Sequence, residues 1–225
     1  MANYNFNLLS LNAQGNHDLF KRKSVFTWVK QQRADIVFLQ ETYSTPAIEN
    51  EWRFQWQGKM LFAHGTNHSR GVLILLNSEL QFEIKSENVD TDGRYIIVEA
   101  IIQDSPFLLV NLYAPTNSRE QGKFFEGIRS ALDDLEINPD CRTIIGGGFN
   151  TDLNPTCKLH VLIVTFPLEL LSIVQLSKSF YEPRYNLRTL RNSLNIYETV
   201  SSRTSRTNSH TKVKTARFKV LIQKE

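Results

Sequence analysis

The chain contains 225 residues, 41% of them hydrophobic and 22% charged, with a formal net charge of +3; this balance is ordinary for a soluble globular protein. Its two cysteines, Cys141 and Cys157, do not form a C-x-x-C pair, which excludes a disulfide framework or a cysteine zinc site and favours a reducing compartment. The N-terminus lacks a basic segment followed by an apolar core, so we expect a nuclear or cytoplasmic protein that is not secreted.

Hydrophobic periodicity predicts alternating strands and helices along the first two thirds of the chain. A run at 4–11 indicates an entering strand, and apolar residues spaced along 17–32 predict an amphipathic helix. The nearly all-apolar run DIVFLQ at 35–40 is typical of a strand buried on both faces.

The same pattern continues to the middle of the chain. A second helix is predicted at 118–136, capped by Asn117 or Ser118. Short strand signals occur at 59–64, 71–77, 80–87, 93–103, 105–113 and 141–145. Strand pairs joined by short turns, with helices between some of them, predict an α/β fold with mixed sheets.

The composition changes near residue 156. Residues 1–156 carry 14 Lys and Arg against 19 Asp and Glu, a formal charge of −5, whereas 157–225 carry 12 against 4, a formal charge of +8. All ten glycines lie at or before Gly148 and the last Asp is Asp152, which is unusual because turns favour both residue types. We therefore interpret 157–225 as a divergent basic tail.

Within this tail the signals for regular structure are weak. The apolar stretch 159–176 is shorter than the roughly 20 residues of a membrane span and contains a proline and a glutamate, so we predict no membrane association. Its part 161–166 could pair with a sheet edge, and 180–197 could form a helix despite an internal proline. Residues 199–215 are rich in Ser, Thr, Arg and Lys, which predicts an exposed or disordered segment.

Four predicted strands end in polar residues, namely Asn12, Glu41, Tyr113 and Asn150. In open α/β folds ligands collect at strand ends, and a carboxylate among carboxamides suits Mg²⁺. Each residue alone has an ordinary explanation, such as a turn, a solvated strand end, local packing or an Asx turn. The order and spacing of the four together favour a functional site.

In chain order, the segments LSLNAQG, DIVFLQET, SRGVLILL, DGRYIIVEA, VNLYAPT and IIGGGFNTDLNP resemble the endonuclease/exonuclease/phosphatase (DNase I-like) superfamily. They are most similar to the apurinic-type endonuclease domain of LINE-like retrotransposon proteins. The resemblance covers about residues 4–156. It implies a sandwich of two mixed β-sheets flanked by helices, with 1–156 as the N-terminal part of the domain. The tail 157–225 would leave the fold incomplete at its C-terminus and would be partly disordered.

The resemblance also implies roles for the strand-end residues. Glu41 would be the principal Mg²⁺ ligand, with Asn12 beside it at the metal and phosphate site. Tyr113 would contact the phosphate or stabilise its developing charge, and Asn150 would orient the attacking water or the phosphate. The family motif Gly-Gly-Asp-Phe-Asn carries a general base at the position that is Gly148 in this chain.

A second departure from the family lies in the tail. The closing Ser-Asp-His of the family is absent, since no Asp follows Asp152 and neither His160 nor His210 has the motif around it. A reading-frame shift or a foreign exon would produce such a tail.

The leading interpretation is a Mg²⁺-dependent DNA endonuclease of retrotransposon type, impaired in this copy. It would be a monomer that binds DNA, with a reverse transcriptase possible downstream in a full-length relative. The alternatives are a non-catalytic nucleic-acid-binding remnant and a phosphoinositide or sphingolipid phosphodiesterase of the same fold.

Overall fold

The computed structural model describes residues 4–138, 140–150, 163–165 and 215–222. Within these ranges the helices are α1 (Leu19–Gln31), α2 (Glu49–Arg53), which follows a 3-10 turn at Pro46–Ile48, and α3 (Ser118–Asp133). The strands are β1 (Tyr4–Asn12), β2 (Ile36–Gln40), β3 (Gly58–Ala63), β4 (Val72–Asn77), β5 (Phe82–Val89), β6 (Tyr95–Ile102), β7 (Ser105–Tyr113), β8 (Arg142–Gly148), β9 (Ile163–Thr165) and β10 (Thr215–Ile222). No helix in this part of the chain is long and apolar enough to cross a membrane.

The strands form two mixed sheets. The first has the order β10-β1-β2-β4-β3, in which β1 and β2 are parallel and the other neighbours antiparallel. The second has the order β5-β6-β7-β8-β9, in which only β7 and β8 are parallel. Each sheet therefore contains one parallel pair, and the carboxyl ends of that pair meet at one edge.

The two sheets pack face to face, and helices cover their outer faces. Side chains from both sheets form the central core, including Phe6 and Phe107, whose rings meet edge to face at 5.5 Å between centroids. A second cluster lies beneath α1 and α2, and a third beneath α3. Burial of each such aliphatic or aromatic side chain contributes roughly 1.5–3 kcal/mol to the stability of the fold. The three clusters therefore hold the strands, and with them the strand ends, in place.

All eight strands predicted before residue 150 are confirmed, with ends shifted by at most three residues. The two predicted helices are also confirmed, and Asn117 is the cap of α3 because its side chain accepts a hydrogen bond from the Arg119 amide at 3.0 Å. In α1 the predicted apolar face is only partly right. Leu19 is 39% exposed, whereas Arg22 is fully buried and stacks over Trp52 at 5.0 Å.

The helix α2 was not predicted. It has five residues, too few for a helical period to appear in the sequence. Its position depends on Trp52, which is fully buried and packs edge to face against Phe26 and Phe62.

Two strands come from the predicted tail. β9 pairs antiparallel with β8, as the sequence suggested for the run 161–166, and β10 pairs antiparallel with β1 along eight residues. Each adds a strand to a sheet edge that would otherwise expose unpaired backbone groups. The predicted helix at 180–197 lies outside the described residues. So does the predicted exposed segment 199–215, except for Thr215 at the start of β10.

Substitution of the glycines near the end of β8 should have unequal effects on stability. Gly147 has φ +137°, and a Cβ there would lie 1.9 Å from the Leu112 carbonyl oxygen, so Gly147→Ala should lower the free energy of unfolding by about 3 kcal/mol. At Gly148 a Cβ would lie 3.1 Å from Tyr113 Cδ2, and Gly148→Ala should cost less than about 1 kcal/mol. Urea unfolding of both variants measures the difference. Equal losses would contradict this assignment of a structural glycine.

Candidate active site

The four predicted site residues lie at the edge where the two parallel strand pairs end. Asn12 is the last residue of β1 and Glu41 follows β2, while Tyr113 ends β7 and Asn150 lies two residues beyond β8. The ends of β1 and β2 lie in one sheet and those of β7 and β8 in the other, and a hydrogen bond between Gln40 of β2 and Asn111 of β7 shows that the two sets of strand ends approach one another. All four side chains are partly buried.

One hydrogen bond and electrostatic interactions link the four side chains. Asn12 Nδ2 donates to Glu41 Oε1 at 2.8 Å. The charge of the Glu41 carboxylate acts on the Tyr113 hydroxyl, and the Asn150 side chain also affects the pKa of Tyr113. The structure thus connects residues of both sheets through Glu41 and Tyr113, and we call these four residues the strand-end cluster.

The backbone of the cluster adopts an uncommon conformation at two points. Glu41 and Asn150 have φ values of 51° and 50°, in the left-handed region that non-glycine residues rarely enter. The Gly15 amide donates to the Glu41 carbonyl at 2.7 Å, and Gln121 Nε2 donates to the Asn150 carbonyl at 2.9 Å. Such conformations persist where the surroundings hold them, and they concentrate at functional sites.

A buried polar bridge lies directly beneath the cluster. Gln40 Nε2 donates to Asn111 Oδ1 at 2.8 Å, and both side chains are fully buried. Asn111 Nδ2 in turn donates to the carbonyl oxygens of Leu39 and Leu73, at 3.1 and 3.0 Å. The bridge connects β7 to β2 and β4. It therefore fixes the position of Tyr113, at the end of β7, relative to Glu41, which follows β2.

Gly148, the last residue of β8, lies beside Tyr113 of the cluster. Its carbonyl accepts a hydrogen bond from the Ala114 amide at 2.8 Å, which holds the end of β8 against the chain beyond β7. A Cβ at Gly148 would point to the ring of Tyr113, 3.1 Å from Cδ2. A longer side chain at this position would therefore enter the cluster, and the backbone does not require glycine there.

The strand-end cluster offers a divalent cation a single carboxylate ligand. Glu41 is the one acidic residue of the strand-end cluster, and the described residues contain no group of three His, Cys, Asp or Glu that could hold a metal. Asn12 Oδ1 accepts from the Gln14 amide at 2.9 Å, which turns the amide nitrogen of Asn12 toward Glu41. Mg²⁺ keeps several waters and often binds through one or two carboxylates, so Glu41 with water is compatible with a weak site.

Three basic residues outside the predicted set, namely Arg94, Arg70 and Lys21, lie near the cluster. Arg94 Nη1 donates to the Tyr113 carbonyl at 3.3 Å, and its guanidinium lies 5.9 Å from the centre of the Tyr113 ring. Burial and the nearby charge of Arg70 lower the pKa of Arg94. Lys21 Nζ donates to the Gln14 carbonyl at 2.6 Å, and burial lowers the pKa of Lys21 although the charges of Asp18 and Glu41 oppose this shift.

The signal for these residues was present in the sequence. Arg70 and Arg94 belong to the segments SRGVLILL and DGRYIIVEA, which are part of the family resemblance. The charge of Arg70 disfavours the charged form of Arg94, which an anion between them would relieve, although Arg70 also forms an ion pair with Asp92 at 3.4 Å.

The ionisation of Tyr113 gives a direct test of the cluster. Burial, and then the charge and hydrogen bond of Glu41, raise the pKa of Tyr113 far above its usual value, so its hydroxyl is protonated at neutral pH. Glu41→Gln should lower this pKa yet leave it raised, since burial is the larger cause. Ultraviolet titration of tyrosinate, with Tyr113→Phe identifying the signal, measures the shift. If the pKa of Tyr113 is unchanged in Glu41→Gln, Glu41 does not interact with the Tyr113 hydroxyl.

The same shift links stability to alkaline pH. The folded pKa of Tyr113 lies above the unfolded value of about 10. The contribution of Tyr113 is therefore fully present below about pH 10 and is lost as the pH rises through the folded pKa.

Comparison with known proteins agrees with this architecture. A profile of the Endonuclease/Exonuclease/phosphatase family matches residues 4–157, which include the whole strand-end cluster. The Transposon TX1 uncharacterized 149 kDa protein of Xenopus laevis is 33% identical over 145 residues. This match covers 64% of the chain but 11% of the relative, so the chain spans about a tenth of the relative's length.

Solved structures are similar in fold. Truncated TDP2 of Caenorhabditis elegans has a TM-score of 0.50 at 21% identity, covering 66% of this chain and 63% of that chain. An AP endonuclease from Archaeoglobus fulgidus has a TM-score of 0.44 at 21% identity, covering 67% and 59%. With the profile match over more than half of its length, the chain belongs to the endonuclease/exonuclease/phosphatase family and has the fold of a nuclease or phosphodiesterase.

Proposed function

We propose that this protein is a Mg²⁺-dependent phosphodiester hydrolase that acts on DNA, of the type found in retrotransposons, and that this copy is impaired. The observation that carries the proposal is the strand-end cluster, in which Asn12 donates a hydrogen bond to Glu41 and the charge of Glu41 acts on Tyr113. The similarity to a protein named as a transposon product supports DNA as the substrate.

The reaction would be hydrolysis of a phosphodiester, in which the oxygen of water replaces one ester oxygen on phosphorus. An oxygen of water forms a bond to phosphorus as one P–O ester bond breaks, and the products are an alcohol and a phosphomonoester. Bound Mg²⁺ would polarise the phosphate and neutralise its developing charge. Glu41 would hold the cation, and Asn12 would hold Glu41 through its 2.8 Å hydrogen bond.

The remaining residues would bind and orient the phosphate. Tyr113 is protonated at neutral pH and can donate a hydrogen bond to a phosphate oxygen without adding negative charge. Arg94 donates a hydrogen bond to the Tyr113 carbonyl, and Arg70 lies near Arg94. The two guanidinium groups would supply positive charge for the phosphate on that side of Tyr113. Asn150 is held by a 2.6 Å hydrogen bond to the Ala114 carbonyl and would orient the attacking water.

The missing component is the group that accepts the proton from this water. Gly148 has no side chain, so bulk water must take the proton. Loss of a general base costs roughly 10²–10⁴ in rate, and the loss is larger where catalytic groups act as a unit. Slow hydrolysis with retained DNA binding is the behaviour that we expect.

Plasmid nicking tests the proposal. Wild-type protein should convert supercoiled plasmid slowly in Mg²⁺, and both EDTA and Glu41→Ala should abolish the conversion. Glu41→Ala purified in parallel also controls for contaminating nucleases. DNA binding without nicking, in Gly148→Asp as well as in wild type, would favour the non-catalytic remnant. Release of phosphate from phosphoinositide or sphingolipid head groups, without nicking, would favour the lipid phosphodiesterase.

A further inference from the structure

Phe20 is a large apolar side chain that the fold leaves exposed beside the candidate active site. It is 77% exposed, and among the described residues only Phe54, at 91%, is an aromatic side chain with comparable exposure. Single exposed apolar residues are common on protein surfaces, so exposure alone assigns no role. The position of Phe20 relative to the cluster and to nearby charges is what distinguishes it.

Phe20 lies in the first turn of α1, at the same edge as the strand-end cluster. The residue that follows it, Lys21, donates to the Gln14 carbonyl at 2.6 Å, and the charge of Glu41 acts on Lys21. Arg22 and Phe26 are buried, and Phe20 lies on the opposite, exposed side of the helix. Helical side chains lean toward the N-terminus, which directs the ring toward the edge where the strands end.

The surroundings of Phe20 are basic. Lys21 and Lys23 lie on either side of it around the helix, and Lys23 is exposed. Asp18, two residues before Phe20, is the cap of α1 and accepts from the Lys21 amide at 2.8 Å. An exposed ring beside the exposed Lys23, with Lys21 directed to the Gln14 carbonyl, suits a polyanion that also presents flat apolar faces, which describes a nucleic-acid strand.

We propose that Phe20 stacks on an unpaired base of the DNA strand that enters the candidate active site. This inference rests on the proposed DNA substrate. Stacking on one aromatic side chain strengthens binding by about fivefold to 150-fold. A paired base must first be unstacked, and that cost is of the same order, so a single phenyl ring gains little on intact duplex. Phe20 would therefore favour single-stranded or locally opened DNA over duplex.

The chain contains a matched control in Phe54. It follows α2 near the start of β3, and β3 runs in the same direction as β2 because both are antiparallel to β4. Since β2 ends at the candidate active site, β3 begins at the opposite edge. Phe54 therefore shares the exposure of Phe20 and lies away from the cluster.

Tryptophan fluorescence at each position tests the proposal. In Phe20→Trp, a single-stranded oligonucleotide should quench the added fluorescence, whereas duplex of the same length should quench it weakly. In Phe54→Trp neither DNA should have an effect. The three native tryptophans are subtracted with wild-type protein under the same conditions. Phe20→Ala should also raise the Kd for the single strand about tenfold, and Phe54→Ala should leave it unchanged.

Fluorescence anisotropy of labelled DNA separates the possible failures. If wild type binds DNA but Phe20→Trp is not quenched, the stacking role is wrong and the proposed function stands. Equal quenching by duplex and single strand would overturn the preference for an unpaired base. If wild type binds neither DNA, the DNA substrate and the role of Phe20 both fail.

Discussion

Gly148→Asp should raise Mg²⁺-dependent plasmid nicking about tenfold above the low rate of wild type. The substitution returns a proton acceptor to the position where a Cβ would point toward Tyr113, beside Asn150 and near Glu41. The gain should be smaller than the roughly 10²–10⁴ that a positioned base supplies. The closing Ser-Asp-His of the family is absent from this chain, and catalytic groups that act as a unit are not additive.

The structure also predicts a small steric cost for this change. The new Cβ would lie 3.1 Å from Tyr113 Cδ2, so the ring must move by a few tenths of an ångström. Gly148→Asn is the matched control, since it imposes the same volume without a basic carboxylate. If the Asp and Asn variants nick plasmid at equal rates, a carboxylate at position 148 does not act as the general base. Efficient nicking by wild type that Glu41→Ala abolishes would show that another residue supplies the base.

Glu41→Ala should remove detectable Mg²⁺ binding from the protein. Glu41 is the only carboxylate of the strand-end cluster, and a hard divalent cation prefers several oxygen ligands, so even wild type should bind weakly, with a Kd of roughly 1 mM. Isothermal titration calorimetry of both proteins measures the difference. Glu83→Gln is a suitable control, because Glu83 is an exposed carboxylate of β5 on the edge of the other sheet.

A second measurement guards against misfolding of the Glu41 variant. Glu41 leaves β2 with φ 51° and accepts a hydrogen bond from Asn12, so its replacement could disturb the loop. Glu41→Gln retains the size of the side chain and loses its charge. Equal Mg²⁺ affinity in wild type, Glu41→Gln and Glu41→Ala would remove Glu41 from any metal site.

Much of the first 150 residues could be predicted from local pattern. Alternating or continuous apolar runs indicate which faces of a strand are buried. This pattern was sufficient to predict all eight strands before residue 150. The cap at Asn117 follows from the chemistry of its side chain. The polar residues at strand ends could be found from the sequence, because each follows an apolar run that forms a strand.

Contacts between distant segments could not be predicted in the same way. Gln40 and Asn111 are 71 residues apart in the chain, and their 2.8 Å hydrogen bond exists because two sheets pack face to face. The burial of Arg22 and the position of Arg94 against Tyr113 also depend on elements remote in sequence. Such contacts are determined by packing, and periodicity within one segment carries no information on its partner.

The three consecutive glycines of β8 show the division between sequence and tertiary structure. The sequence by itself identified the loop, and the family resemblance marked Gly148 as the place of a lost acidic residue. The tertiary structure distinguished neighbours that are chemically identical. Gly147 is required because its φ of +137° and the Leu112 carbonyl at 1.9 Å leave no room for a Cβ. Gly148 accepts a side chain directed at Tyr113 only if that ring shifts by a few tenths of an ångström, because the parallel strands β7 and β8 place the ring beside it.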